Sequence, residues 1–143
     1  PVRFAELLRG VTDDHEHVHV VMAGDGSRRE AVEAYASERL HVLGYVSEED
    51  KWRWFADADV FASLSAYEGM PVATAEALSF DLPVVLSDIP SHRHLLNEYD
   101  ATGTLVADDT DQIATAIERV RGERSVVSLP TWREVAEQYL NLF

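Results

Sequence analysis

An α/β fold with an open, doubly wound parallel sheet is what this sequence predicts. Two patterns predict it: short apolar runs rich in β-branched residues recur along the chain, and amphipathic stretches of helical period separate them. Strands that alternate with helices are joined by right-handed crossovers and so lie parallel. A third observation sets the size. With 143 residues, 46% of them hydrophobic, the chain can form one domain around its own core, which excludes wholesale disorder.

The chain opens with a helical stretch, Arg3–Leu8, and no strand stands ahead of it. Doubly wound sheets normally begin on a strand, so the chain reads as a piece of something longer, lacking its first strand. Val18–Ala23 is a strand, Gly24-Asp25-Gly26 a turn, and Ser27–Glu38 a helix with Ser27 as its N-cap. Leu40–Leu43 is a short strand leading into Gly44-Tyr45-Val46. Ser47-Glu48-Glu49-Asp50 has the capping-box pattern, and the helix it opens lines Trp52, Phe55 and Ala56 along one face. Val60–Leu64 is the next strand, and Pro71 suits the first turn of a helix running to about Phe80. Pro83–Leu86 is a strand, Ser91–Asn97 a short helix and Gly103–Val106 a strand. Two helices follow, near Asp111–Arg121 and Thr131–Leu142, with Gly122–Pro130 between them as the one linker-like stretch. The sequence thus predicts a single domain over 1–143, with its body in 1–121. In residues 131–143, Trp132, Val135, Ala136, Tyr139, Leu140 and Phe143 form one apolar stripe at three- and four-residue intervals. That stripe makes Thr131–Phe143 a docking helix, able to self-associate if nothing else covers it.

Charge excludes several functions. Twelve Lys and Arg stand against 26 Asp and Glu, a formal net charge of −14. Nucleic-acid binding needs a basic surface, and attraction to anionic membranes needs one too, so neither partner is expected. Lys51 is the sole lysine; every other basic residue is arginine. Such an acid-rich, lysine-poor surface fits a halophilic cytoplasm, where salt screens the self-repulsion. The absence of cysteine excludes disulfides, thiolate zinc sites and a cysteine nucleophile. No apolar run reaches the ~18–20 residues of a membrane span and no signal peptide is recognisable, so the expected compartment is cytoplasmic.

The stretch richest in chemistry is Ser63–Leu78, SLSAYEGMPVATAEAL. A strand ends, Tyr67-Glu68-Gly69-Met70 turns, and Pro71 launches a helix. Ligands of open α/β sheets gather at the carboxyl ends of strands, where this loop falls. The start of the helix offers unpaired N–H groups suited to a phosphate. Gly69 lets a ligand approach the backbone, and Glu68 is placed to accept hydrogen bonds from a polyol. Glu76 lies among Ala73, Ala75, Ala77 and Leu78, so burial is expected; its carboxylate then needs partners, which ligand hydroxyls or a nearby backbone amide would supply. His15, His17 and His19 would share one face of an extended segment, and His92 and His94 flank Arg93, yet no acidic second shell is identifiable and no metal site is assigned. Trp52, Trp54 and Phe55 read as packing rather than a sugar platform. No G-x-S-x-G, Walker or G-x-G-x-x-G sequence is present, which leaves hydrolase, kinase and dinucleotide readings without their key residues.

Glu68 and Glu76, with seven residues between them, resemble the E-x7-E motif of retaining GT-B glycosyltransferases. VVMAGDGSRRE (Val20–Glu30), HVLGYVSEEDKWRWFADADVFASLS (His41–Ser65), LPVVLSDIPSHRHLL (Leu82–Leu96) and ATGTLVADD (Ala101–Asp109) resemble that family's Rossmann-like C-terminal domain, in the same order. The resemblance implies binding of a nucleotide-diphosphate sugar and transfer of its sugar to an acceptor, with no cofactor and no protein-bound metal. It implies that Glu68 holds sugar hydroxyls and Glu76 the ribose. The amides of Gly69, Met70 and Val72 would face the sugar and diphosphate, the base would lie against Leu43, Gly44, Tyr45 and Val46, and Gly24 would sit in the family's glycine turn. The family's first strand, its diphosphate-gripping cations and its N-terminal acceptor domain have no counterpart in these residues. No catalytic residue is therefore assigned, and the chain alone is expected to be inactive. Phe80-Asp81 replaces the small residue and glycine usual before the next strand. The alternative is a non-catalytic sugar-nucleotide-binding or protein-interaction module.

Overall fold

A computed structural model describes residues 1–129. Eleven elements alternate along it: α1 (Val2–Asp14), β1 (Val20–Ala23), α2 (Arg29–Glu33), β2 (Leu40–Gly44), α3 (Glu48–Asp57), β3 (Phe61–Ser63), α4 (Val72–Leu78), β4 (Val84–Ser87), α5 (Pro90–Glu98), β5 (Gly103–Val106) and α6 (Thr110–Val120). Every strand pairing is parallel, as the alternation requires. The expected docking helix, Thr131–Phe143, lies outside the described residues.

The pairing falls into two pieces. β1 pairs with β2, setting Val20 opposite Leu40, while β4 lies between β3 and β5, with Phe61 and Gly103 both opposite Val84. One core nevertheless serves both pieces. Leu7, Leu8 and Val11 of α1 and Ile113, Ala116 and Val120 of α6 meet Val20, Met22 and Val42 from the first sheet and Ala62, Val85 and Val106 from the second.

Several boundaries differ from expectation for local reasons. α1 continues past Leu8 because Val11 and Thr12 extend its buried face. α2 is far shorter than Ser27–Glu38, and Ser27 does not cap it. It ends at Glu33, and four residues further on Ser37 Oγ accepts from the N–H groups of Arg39 and Leu40 and turns the chain into β2. Ser47 caps α3 as expected, accepting from Asp50 N at 3.1 Å. On α3, Trp52 stacks on Phe80 at 5.6 Å and Phe55 meets Phe61 edge-on, but Ala56 is exposed. The three early histidines do not share a strand face, because Val18 N–H donates to the His15 carbonyl and closes a turn; His17 pairs with Glu118.

Gly122–Pro130 is not a free linker over its described part. Ser125 is fully buried, its N–H donates to Asp81 O at 2.9 Å, its Oγ accepts from Thr102 N at 2.8 Å, and Val127 and Leu129 pack on a second core around Leu78, Val84, Leu86 and Leu95. The unusual Phe80-Asp81 corner also has an explanation. Phe80 fills the space against Trp52 and Phe55, and Asp81 adopts the left-handed conformation, φ 59°, that a glycine would take without strain. The Asp81 side chain is exposed, so Asp81→Gly is expected to stabilise the fold by up to about 1 kcal/mol in urea unfolding. A loss of stability would assign the carboxylate a supporting contact.

Candidate functional site

Glu68 lies on the loop after β3, where the β3–β4 ladder has ended at Ser63 and Leu86. Its Oε1 accepts from Ser65 Oγ at 2.6 Å, which fixes one carboxylate oxygen and leaves the other open to a ligand. The Pro71 ring replaces the backbone N–H at the N-cap of α4, and the Val72 N–H donates to Met70 O at 2.9 Å, so that amide is already engaged within its own turn. Among the described residues, the N–H groups of Gly69 and Met70 make no such bond.

Glu76 is half-buried in α4, and its partner is neither a backbone amide nor solvent alone. Lys51, from α3, brings its Nζ to 3.1 Å from Glu76 Oε2 and to 2.9 Å from Glu48 Oε2, while lying 4.3 Å over the Trp52 ring. The hydrogen bond to Glu48 first, and that to Glu76 next, hold the ammonium pKa above its ordinary value against the opposing effect of burial. Lys51 therefore spans the gap between α3, which follows the Gly44-Tyr45-Val46 loop, and the second glutamate. Sequence reasoning missed this residue; the signal available was that the chain's single lysine falls in an otherwise acidic first turn.

The two glycine turns meet. Gly24 N–H donates to Gly44 O at 2.7 Å, joining the carboxyl ends of β1 and β2. Gly44 has φ 71°, and a Cβ there would sit 2.6 Å from Arg29 Cζ, so the Arg29 guanidinium lies directly against it. Arg29, also unforeseen, is thus a cation at this edge, held by Glu33 at 2.7 Å. Beside it, Leu43 and Val46 line a cleft of about 390 Å³ with Asp50, Arg53, Trp54 and Asp57. Leu43, Tyr45, Tyr67, Met70 and Val72 are large apolar side chains left exposed, and all five lie at the ends of β2 and β3 or on the segments that follow them. The structure gathers Gly24 with Gly44, and Glu76 with α3; it shows no contact between Glu68 and the Gly44 loop.

The family model described as glycosyl transferases group 1 matches residues 3–122. The chain belongs to the glycosyl transferases group 1 family. Two similar proteins come from Escherichia coli. An O-antigen biosynthesis glycosyltransferase, WbnH, is 27% identical over 117 residues, covering 80% of this chain and 33% of that protein. A UDP-Gal:alpha-D-GlcNAc-diphosphoundecaprenol alpha-1,3-galactosyltransferase is 30% identical over 135 residues, covering 87% of this chain and 34% of that protein. The chain thus spans about a third of the length of these relatives. The crystal structure of AviGT4, a glycosyltransferase involved in avilamycin A biosynthesis, superposes with a TM-score of 0.61 at 17% identity, over 99% of this chain and 47% of that one. The fold is therefore that of one half of a GT-B glycosyltransferase. Within this glycosyltransferase domain, no helix among the described residues is long and apolar enough to cross a membrane.

Proposed function

We propose that this domain holds the nucleotide-diphosphate sugar donor of a retaining hexosyl transfer. The observation that carries the reading is the convergence of family membership with the placing of Glu68 and the Gly24–Gly44 pair at the carboxyl ends of parallel strands, the ligand edge of open α/β sheets. Glu68 accepts hydrogen bonds from sugar hydroxyls, Glu76 accepts from the ribose, and the base lies against Leu43–Val46. Because Lys51 is shared between two carboxylates, it serves Glu76 rather than the diphosphate. Transfer itself depends on stabilising the departing diphosphate, for which residues beyond this chain supply cations and the acceptor site.

Calorimetric titration of the chain with UDP, GDP and ADP and their sugars tests the reading. It is run in molar KCl, which screens the charge of −14. One base is expected to bind, with the sugar adding affinity and no sugar being transferred. Failure of all three to bind would favour an interaction module that uses the exposed apolar loops for another protein. Enzyme-like turnover by the chain alone would overturn the division of labour.

A further inference from the structure

We propose that Ser87 and His92 are positioning residues for Glu68, so that α5 governs how firmly the donor sugar is held. This rests on the reading of Glu68 as a sugar contact and adds two residues that the E-x7-E motif does not include.

His92 is fully buried on α5. Its Nδ1 lies 2.9 Å from the Ser87 carbonyl oxygen and 3.2 Å from Ser87 Oγ. A carbonyl can only accept, so Nδ1 carries the proton. That N–H also faces Ser87 Oγ, and the hydroxyl turns its own proton away, donating to Ser65 O at 2.6 Å. Ser65 Oγ in turn donates to Glu68 Oε1 at 2.6 Å, since a carboxylate only accepts. Every donor in the series points the same way, from α5 across β4 to the loop after β3. The backbone ladder between β3 and β4 stops at Ser63 and Leu86. Ser87 Oγ therefore supplies the tie that the ladder no longer provides, just ahead of the glutamate. His92 Nε2 is buried with no partner among the described residues. An apolar side chain would fill that space without the desolvation cost, so what the imidazole contributes is its Nδ1 donor.

The test compares Kd for UDP against UDP-galactose and for GDP against GDP-mannose, taking the ratio as the affinity added by the sugar. Ser87→Ala and Ser65→Ala are expected to lower that ratio about tenfold, with affinity for the free nucleoside diphosphate unchanged. His92→Asn keeps an N–H donor at the Nδ1 position and is expected to preserve the ratio, whereas His92→Leu lowers it. Melting temperatures of all variants separate loss of positioning from loss of fold. If Ser87→Ala does not fold, the half-buried Ser65→Ala decides the matter. An unchanged ratio in Ser65→Ala, while Glu68→Gln abolishes it, overturns the relay alone. Equal losses in His92→Asn and His92→Leu reduce His92 to packing. An unchanged ratio in Glu68→Gln overturns the sugar contact itself, and the relay with it.

Discussion

Glu76→Gln is expected to weaken nucleoside diphosphate binding by about 1–3 kcal/mol, the worth of one charge-assisted hydrogen bond to a ribose hydroxyl. The carboxylate is oriented before any ligand arrives, because Lys51 Nζ reaches it at 3.1 Å while being held by Glu48 at 2.9 Å. The substitution keeps the shape of the side chain and removes its charge. It also leaves Glu48 as the one carboxylate paired with the ammonium, the glutamine oxygen accepting only as a neutral group, so some stability is lost whatever the ligand does. A second variant separates the two effects. Lys51→Met removes the ion pair and leaves the carboxylate in place. If Glu76 holds the ribose, Glu76→Gln lowers affinity by more than Lys51→Met does. Should Glu76 serve only the ion pair, both variants lower the melting temperature and neither changes nucleotide affinity in calorimetry. Equal affinity in wild type and Glu76→Gln would remove the ribose assignment.

Sequence periodicity located the parallel strands because each falls in a short, largely apolar run bounded by a turn, as at Gly103–Val106, whose limits match β5. It could not locate the end of α2. The chain leaves the helix at Glu33 and is turned into β2 by Ser37 Oγ, which captures two N–H groups, and a serine in a polar stretch carries no periodic signature. Nor could it show that the strands pair as two pieces, β1 with β2 and β4 between β3 and β5, since pairing is a property of partners distant in the chain. At the candidate site, local motif reasoning reached Glu68, Glu76, Gly24 and Gly44, which lie on recognisable turns and one short helix. It missed Lys51, Arg29, Ser65, Ser87 and His92. Each of these matters through contact with a different element, and a histidine beside an arginine on a helix looks the same in sequence whether its ring is exposed or fully enclosed. Residues 123–129 were misread for a related reason. A stretch bounded by glycine and proline reads as linker, but a buried Ser125 with two backbone-directed hydrogen bonds fastens it to the corner at Asp81 and Thr102.

Ile113→Ala should lower stability by about 2–5 kcal/mol, a large share of the roughly 5–15 kcal/mol typical of a small domain. Ile113 is fully buried on α6, whose first turn is fixed by Asp109 accepting from Gln112 N at 2.9 Å. Its buried neighbours on the same helix, Ala114 and Ala116, are too short to fill the vacated space, so the cavity term is retained. The effect should also be global. Ile113 belongs to the core that joins residues of β1 and β2 to residues of β3, β4 and β5, and no strand pairing among the described residues unites the two sheets. Urea unfolding in molar KCl followed by circular dichroism, with hydrogen exchange of the β2 and β5 amides, measures both quantities. One cooperative transition, shifted to lower urea with both sets of amides exposed together, is the expected result. Ile117→Ala, at a partly buried position on the same helix, is expected to cost less. If Ile113→Ala shifts stability by under about 1 kcal/mol, or if β2 exchanges in a separate earlier step, each sheet must hold a core of its own and the shared-core account is wrong.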